Sequence, residues 1–144
     1  MRHPMNRLGT FDCSGAQIRA HYRHLATVVT IRGEIDAVNV DRVGQYVRRF
    51  VLGDEPLVLD LTGVSHFSPA GMSLLGVVDE DCWAAGVQWT LVPSPAVLDV
   101  LGDGRDEDGA EVPIARSVHE ALHNLADAIV CRRQLVLPLI RKTA

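Results

Sequence analysis

Two histidines near the end of the chain have the spacing of a zinc-binding helix. Residues 119–123 read His-Glu-Ala-Leu-His, the H-E-x-x-H pattern in which both histidines bind the metal and the glutamate polarises a water. A hydrolytic site needs a third ligand, and only Asp127 and Cys131 follow as local candidates. Glu120 also stands three residues after Ser117, the spacing of a helix capping box. A zinc hydrolase is therefore a remote alternative, and its candidate residues are His119, Glu120 and His123.

The acidic segment 103–109 has carboxylates that could bind calcium. An EF-hand loop needs an acidic first ligand and a bidentate glutamate at its twelfth position. When Asp106 and Asp108 are counted as the third and fifth ligands, those two positions hold Gly104 and Ala115. The segment is therefore interpreted as a solvated loop, and the sequence predicts neither a metal nor a cofactor.

Composition argues against several broad functions. The 144 residues suit one domain, and 47% are hydrophobic but only 5% aromatic, which favours an aliphatic α/β core. The net charge of −4, without a broad basic cluster, argues against nucleic acid as a partner. Three widely spaced cysteines favour a reducing cytoplasm, and no stretch approaches the roughly 20 apolar residues of a membrane span. We expect a non-enzymatic cytoplasmic protein that binds neither nucleic acid nor a membrane.

Hydrophobic periodicity predicts strands that alternate with helices in the order ββαβαβαβα. The predicted strands cover Ala16–Tyr22, Thr27–Gly33, Leu57–Leu61, Val87–Val92 and Val112–Ile114. Helices are predicted after the caps Asp36, Ser68 and Ser117, with a short one after Pro95. The fold class is α/β, with a mixed four- to five-stranded sheet and helices mainly on one side.

The most informative stretch runs from Val58 to Leu75, where a buried strand turns into a helix. Its tip holds Ser68, Pro69 and Ala70. It has no paired acid and base and no glycine-rich phosphate cradle, so the pattern favours docking over catalysis. Trp83 and Trp89, on the flanking helix and strand, are predicted to pack in the core.

The ordered set of motifs resembles the STAS domain, named for sulphate transporters and anti-sigma factor antagonists. The resemblance spans about residues 15–130, between a predicted loose arm over 1–14 and a tail over 131–144. Its pieces are Gly33-Glu34-Ile35-Asp36, the run 58–64, Gly71 at a helix start, Gly86, Leu91-Val92-Pro93 and the run 114–122.

The resemblance implies a regulatory protein-binding module. In stand-alone members the tip reads Asp-Ser-Ser-Gly, and a partner that is both anti-sigma factor and kinase phosphorylates the second serine. The unphosphorylated form binds that partner and frees the sigma factor. Here the four positions are Ser68, Pro69, Ala70 and Gly71, so the phospho-acceptor position is Ala70, which has no hydroxyl.

The implied partner is an anti-sigma factor of the serine-kinase type, or another signalling protein. The predicted contact centre is Ser68, Pro69, Ala70, Gly71 and Met72, with Glu34, Asp36 and His66 at its rim. Ser68 is the candidate substitute phosphosite, although a helix-capping role explains it better.

Several alternatives stay open. Without a phospho-acceptor, the module is either constitutively binding or regulated by another input. The competing function is a ligand-sensing STAS domain inside a signalling assembly. Whether the chain forms a homodimer is also open.

Overall fold

The core of the molecule is a sheet of five strands in the order β1-β2-β3-β4-β5. The computed structural model describes residues 10–23, 26–51, 55–102 and 112–127. The first two strand pairs are antiparallel, and β3, β4 and β5 run parallel. The strands are β1 (Thr10–Cys13), β2 (Ala16–Arg23), β3 (Ala26–Ile35), β4 (Leu57–Phe67) and β5 (Trp89–Val92).

Four helices cover the two faces of this sheet within the described residues. They are α1 (Val40–Val51), α2 (Met72–Ala85), α3 (Pro95–Leu101) and α4 (118–127). The first three share one buried cluster with alternate residues of β4. On the opposite face, Ala121 and Leu125 of α4 pack with Val28 and Val58. The predicted α/β class, mixed sheet and predominance of helices on one side are confirmed.

Two strand predictions need correction at the start and the end of the sheet. Residues 10–13, assigned by sequence to a loose arm, form β1 and pair with β2. The connecting residues Ser14 and Gly15 have φ values of 42° and 106°, as a type I′ hairpin turn requires. The predicted strand Val112–Ile114 is reduced to one bridge between Ile114 and Leu91.

Strand β4 runs six residues further than the sequence predicts. Leu57 to Leu61 are all buried, as expected of a strand covered on both faces. Beyond Leu61 only every third residue is buried, and the register against β3 shifts twice. That irregular pairing destroys the two-residue alternation by which a strand is recognised, so the sequence prediction stopped at Leu61.

A buried asparagine fastens the turn between β3 and α1. Asn39 is 0% exposed. Its Nδ2 donates to the carbonyl oxygens of Cys13 (3.0 Å), Ser14 (3.2 Å) and Glu34 (2.9 Å). Its Oδ1 accepts the Asp36 N–H at 3.0 Å. One side chain thereby joins the β1–β2 turn, the end of β3 and the start of α1.

We expect Asn39→Ala to destabilise the fold by about 2–3 kcal/mol, because it removes the amide donors from three carbonyls. Urea unfolding measures the change. Asn39→Asp keeps the size but places carboxylate oxygen against carbonyl oxygen, so it should be at least as harmful. The control Val38→Ala, at a side chain 79% exposed, should change stability by less than about 0.5 kcal/mol. Wild-type stability in Asn39→Ala would contradict this role.

Candidate functional site

The residues predicted to contact a partner meet at one edge of the sheet, where β3 and β4 end. Parallel pairing places Glu34 opposite His66 and Ile35 opposite Phe67. The Ser68 N–H donates to the Ile35 carbonyl at 3.0 Å, which keeps the chain leaving β4 attached to the end of β3. We call this group the contact edge; it consists of Glu34, Asp36, His66, Ser68, Pro69, Ala70, Gly71 and Met72.

The rim side chains differ in their freedom. Glu34 and His66 are exposed, whereas Asp36 is half-buried. The Asp36 Oδ1 accepts the N–H groups of Val38 (2.9 Å) and Asn39 (3.2 Å). Asp36, the predicted helix cap, therefore caps a turn over 37–39, and α1 begins after that turn.

Sequence reasoning missed one apolar residue at this edge. Val38 lies in the turn over 37–39, and its side chain is 79% exposed. A signal was available, since Val38 is out of phase with the buried stripe Val40, Val43 and Val47 of α1. Val38 adds an apolar surface beside the carboxylates of the rim.

The structure gives Ser68 a different role from the predicted helix cap. Its extended backbone precedes a 3-10 turn, Pro69–Gly71, and its hydroxyl makes no capping bond. The Ser68 carbonyl instead accepts the Gly71 N–H at 2.8 Å. The Ser68 Oγ is buried and has no hydrogen-bond partner among the described residues. Because this oxygen is covered, phosphorylation of Ser68 requires the turn to open.

Gly71 is small for an internal reason. Its position is buried, and a Cβ there would lie 2.5 Å from Cε1 and Cζ of the Phe67 ring. Its φ of −62° is open to any residue, so the constraint is space and not backbone conformation. The packing of the tip onto β4 therefore requires a glycine here, and a contact of Gly71 with a partner stays a prediction.

Ala70 occupies the middle of the 3-10 turn and is half-buried. Its carbonyl accepts the Ser73 hydroxyl at 2.9 Å, which ties the turn to the start of α2. Pro69, beside it, is exposed and lacks an N–H. The tip, residues 68–72, is therefore a short and largely apolar turn whose conformation is restrained by hydrogen bonds.

The H-E-x-x-H segment forms part of α4, on the sheet face away from α1 and α2. Half of the predicted capping box is present: the Ser117 Oγ accepts the Glu120 N–H at 3.0 Å, whereas the Glu120 Oε1 accepts the N–H of Arg116 at 3.0 Å and not that of Ser117. His119 and His123 are exposed. Within the described ranges no group of three or more ligand side chains is placed to hold a metal.

The thiols that the structure describes are poor nucleophiles. Cys82 lies on the inner face of α2, where burial, followed by Asp79 and Asp81, raises the pKa of its thiol to about 12. Burial also raises the pKa of Cys13, although Arg42 partly opposes this. Neither thiol belongs to the contact edge. Cys131, the acidic segment 103–109 and the tail 131–144 lie outside the described residues.

The two tryptophans have opposite environments. Trp89 is buried as predicted, and its Nε1 donates to the Asp79 Oδ1 at 2.9 Å. Trp83 was expected in the core, but it is 87% exposed on α2. Trp83 lies outside the inward-facing stripe of Leu75, Val78 and Cys82. The apolar residues are spread almost evenly around α2, so the sequence does not indicate which side faces the core.

The family model of the STAS domain matches residues 10–121. The chain belongs to the STAS family. The resemblance found in the motifs is thus confirmed, and the match includes β1, which the sequence analysis left out. Among the described residues, no helix is both long and apolar enough to cross a membrane.

Proteins of similar sequence and of similar fold are known from mycobacteria. The chain is 64% identical over 135 residues to a protein named Osmosensory protein A from Mycobacterium tuberculosis, covering 92% of this chain and 85% of that protein. Its fold resembles an anti-sigma factor antagonist from Mycobacterium paratuberculosis, with a TM-score of 0.62, 22% identity, and coverage of 76% and 92%. It also resembles unphosphorylated SpoIIAA, another anti-sigma factor antagonist, with a TM-score of 0.59, 16% identity, and coverage of 76% and 96%.

We expect Gly71→Ala to destabilise the protein by about 1–3 kcal/mol, because the new methyl group collides with the Phe67 ring. Thermal or urea unfolding measures the loss. Gly76→Ala, in the adjoining helix α2, is the control, since its Cβ meets nothing within 4 Å in the described structure. The control should be more stable by roughly 0.5–1 kcal/mol. Equal effects at the two positions would refute the packing role of Gly71.

Proposed function

We propose that this chain is a non-enzymatic regulatory module that binds an anti-sigma factor of the serine-kinase type through the contact edge. Ser68, Pro69, Ala70 and Met72 form the centre of the contact, and Gly71 seats that centre on the Phe67 ring. The observation that carries the proposal is the position of Ala70 in the middle of a 3-10 turn that the Ser73 hydroxyl holds, and we take this position as that of the family's phospho-acceptor serine.

The construction of the tip suits binding more than catalysis. Pro69 fixes its own φ, and the Ser73–Ala70 hydrogen bond restrains the turn, so little conformational freedom is lost on docking. Pro69 and Val38 supply exposed apolar surface, and Glu34 and His66 supply a polar rim. An apolar centre inside a polar rim is the usual anatomy of a protein interface.

Alanine at the tip removes the phosphate switch from this interface. A phosphoserine would add about −1.5 to −2 charges to the apolar centre of the contact, and covering that charge with a partner would oppose docking. Ala70 cannot carry that phosphate. Binding is therefore either constitutive or controlled by an input other than phosphorylation at this position.

Binding to a panel of purified serine-kinase anti-sigma factors tests the proposal. Ala70→Glu should weaken the affinity at least 100-fold, because it places a charge in the apolar centre of the interface. The control Gln17→Glu adds the same charge to an exposed position of β2 and should leave the affinity unchanged. Ala70→Ser should bind and also accept phosphate from the kinase. The proposal fails if no member of the panel binds, or if Ala70→Glu binds like the wild type.

A second candidate is a ligand-sensing STAS domain, and two observations favour it. The mycobacterial relative is named an osmosensory protein. A cavity of about 340 Å³ lies between α4 and the adjacent ends of β2 and β3, lined by Ala26, Leu122, Leu125 and the cationic Arg23 among others. His119 and His123 also line this cavity, and its apolar wall together with the Arg23 guanidinium suits a small amphipathic anion.

For this second candidate, a panel of short-chain carboxylates should raise the melting temperature, because a ligand that binds only the folded state stabilises it. Leu122→Trp, which fills the cavity, should abolish the rise without lowering the basal melting temperature. Leu98→Trp, at an exposed site on α3, is the control and should retain the rise. A panel that leaves the melting temperature unchanged contradicts the ligand-sensing role.

A further inference from the structure

The outer face of α2 carries two residues that the fold of the described chain does not explain. Trp83 exposes 87% of its surface, although an indole gains more than most side chains from burial. Gly76 lies in the interior of the same helix, and a Cβ built there meets no atom within 4 Å. Trp83 is a large apolar side chain that no described residue covers, and Gly76 is a glycine where a larger side chain would fit.

Gly76 lowers the stability of α2, and no contact inside the described fold requires a glycine there. A glycine inside a helix is less stable than an alanine because it loses more backbone freedom on folding. At Gly71 a larger side chain would collide with the Phe67 ring, and at Gly63 it would collide with the Arg32 side chain. Nothing among the described residues packs against Gly76, so we infer that its small size benefits something that approaches from outside.

The two residues belong to one stripe that starts at the contact edge. Met72, Gly76, Glu80 and Trp83 are spaced by four, four and three residues, which places them along one face of a helix. Gly76 is half-buried, whereas Glu80 and Trp83 are exposed. We call these four residues the outer stripe of α2, and Met72 makes it continuous with the proposed contact centre.

The charge of α2 selects the kind of partner. The helix contains Asp79, Glu80 and Asp81 and neither lysine nor arginine. Asp81 is bound to Arg48 at 2.9 Å, and Asp79 accepts the Trp89 Nε1. Glu80 is the exposed member of this group, one helical turn from Trp83. One exposed carboxylate beside one large aromatic ring complements a segment that is both basic and apolar.

We propose that the anti-sigma factor lays a basic amphipathic segment along the outer stripe of α2, with an apolar side chain over Gly76 and a cation between Glu80 and the Trp83 ring. A cation over an indole face is attracted by the ring quadrupole, and tryptophan is enriched among the residues that dominate interfaces. The proposal rests on the proposed function and extends its interface from the tip to the far end of α2.

Affinity and stability should change in opposite directions when Gly76 is substituted. Gly76→Ala is expected to raise the thermal midpoint by about 2–5 °C. The same variant should weaken binding to the anti-sigma factor about tenfold, because the methyl group blocks close approach. Gly44→Ala is the matched control: its Cβ lies 3.8 Å from Leu74 Cδ1 between α1 and α2, so it should raise the midpoint and leave affinity unchanged.

Trp83 and Glu80 test the anchor and the charge. Trp83→Ala should weaken binding about 30-fold, the loss typical of a dominant interface residue. In the wild type, binding should shift Trp83 fluorescence to shorter wavelength, and Trp83→Phe should remove that shift while the buried Trp89 continues to emit. Glu80→Gln should slow association and reduce its salt dependence, whereas Asp99→Asn, at an exposed site on α3, should not.

The outcomes separate this inference from the proposed function. If an anti-sigma factor binds and Ala70→Glu abolishes binding, while Trp83→Ala and Gly76→Ala bind like the wild type, the outer stripe is not part of the interface and the function stands. If no anti-sigma factor of the panel binds, the function and the extended interface both fall. If Trp83→Ala changes only self-association, measured by sedimentation, the occupant is a second copy and the inference is wrong.

Discussion

The buried amide of Asn39 determines how the edge of this molecule is assembled. Three carbonyl oxygens, from the β1–β2 turn and the end of β3, receive hydrogen bonds from one nitrogen. The Glu34 N–H also donates to the Gly15 carbonyl, so the hairpin and β3 are joined twice. A polar side chain without access to water must keep these partners, and it therefore fixes where Glu34 and Asp36 stand relative to the tip.

The tip itself depends on a second constraint, the contact between Gly71 and the Phe67 ring. Because Phe67 is the last residue of β4, this contact seats the start of α2 directly on the end of the central strand. The 3-10 turn that intervenes leaves Ala70 at its middle. The shape of the tip therefore depends on the Phe67 ring and on the backbone, and Ala70 contributes to it through its carbonyl.

The two glycines of this region illustrate how one residue type answers different demands. Gly71 faces inward and is required by the volume of an aromatic ring, whereas Gly76 faces outward and is required by nothing in the described chain. The inner face of α2 holds Leu74, Leu75, Val78 and Cys82, and the outer face holds the exposed Trp83. The core of the domain covers the inner face of α2, and the outer aromatic ring is left for a partner to cover.

The family, the α/β class and the central buried strand could all be predicted from the sequence, which also has an alanine at position 70 of the tip. These follow from local signals: a continuous apolar run, the spacing of caps and glycines, and the identity of one residue in an ordered motif. The cap at Ser117 also depends only on residues close in sequence, and the structure contains the bond from the Glu120 N–H to the Ser117 hydroxyl, while the Glu120 carboxylate accepts from Arg116.

Four other features could not be predicted from the sequence, because each depends on residues that are distant in the chain. The length of β4 follows from its irregular register against β3, and the unpartnered Ser68 hydroxyl follows from a turn that closes through the backbone instead. The small size of Gly71 reflects the Phe67 ring. The exposure of Trp83 could not be read from its neighbours, since the apolar residues of α2 surround the helix and only packing decides which side is covered.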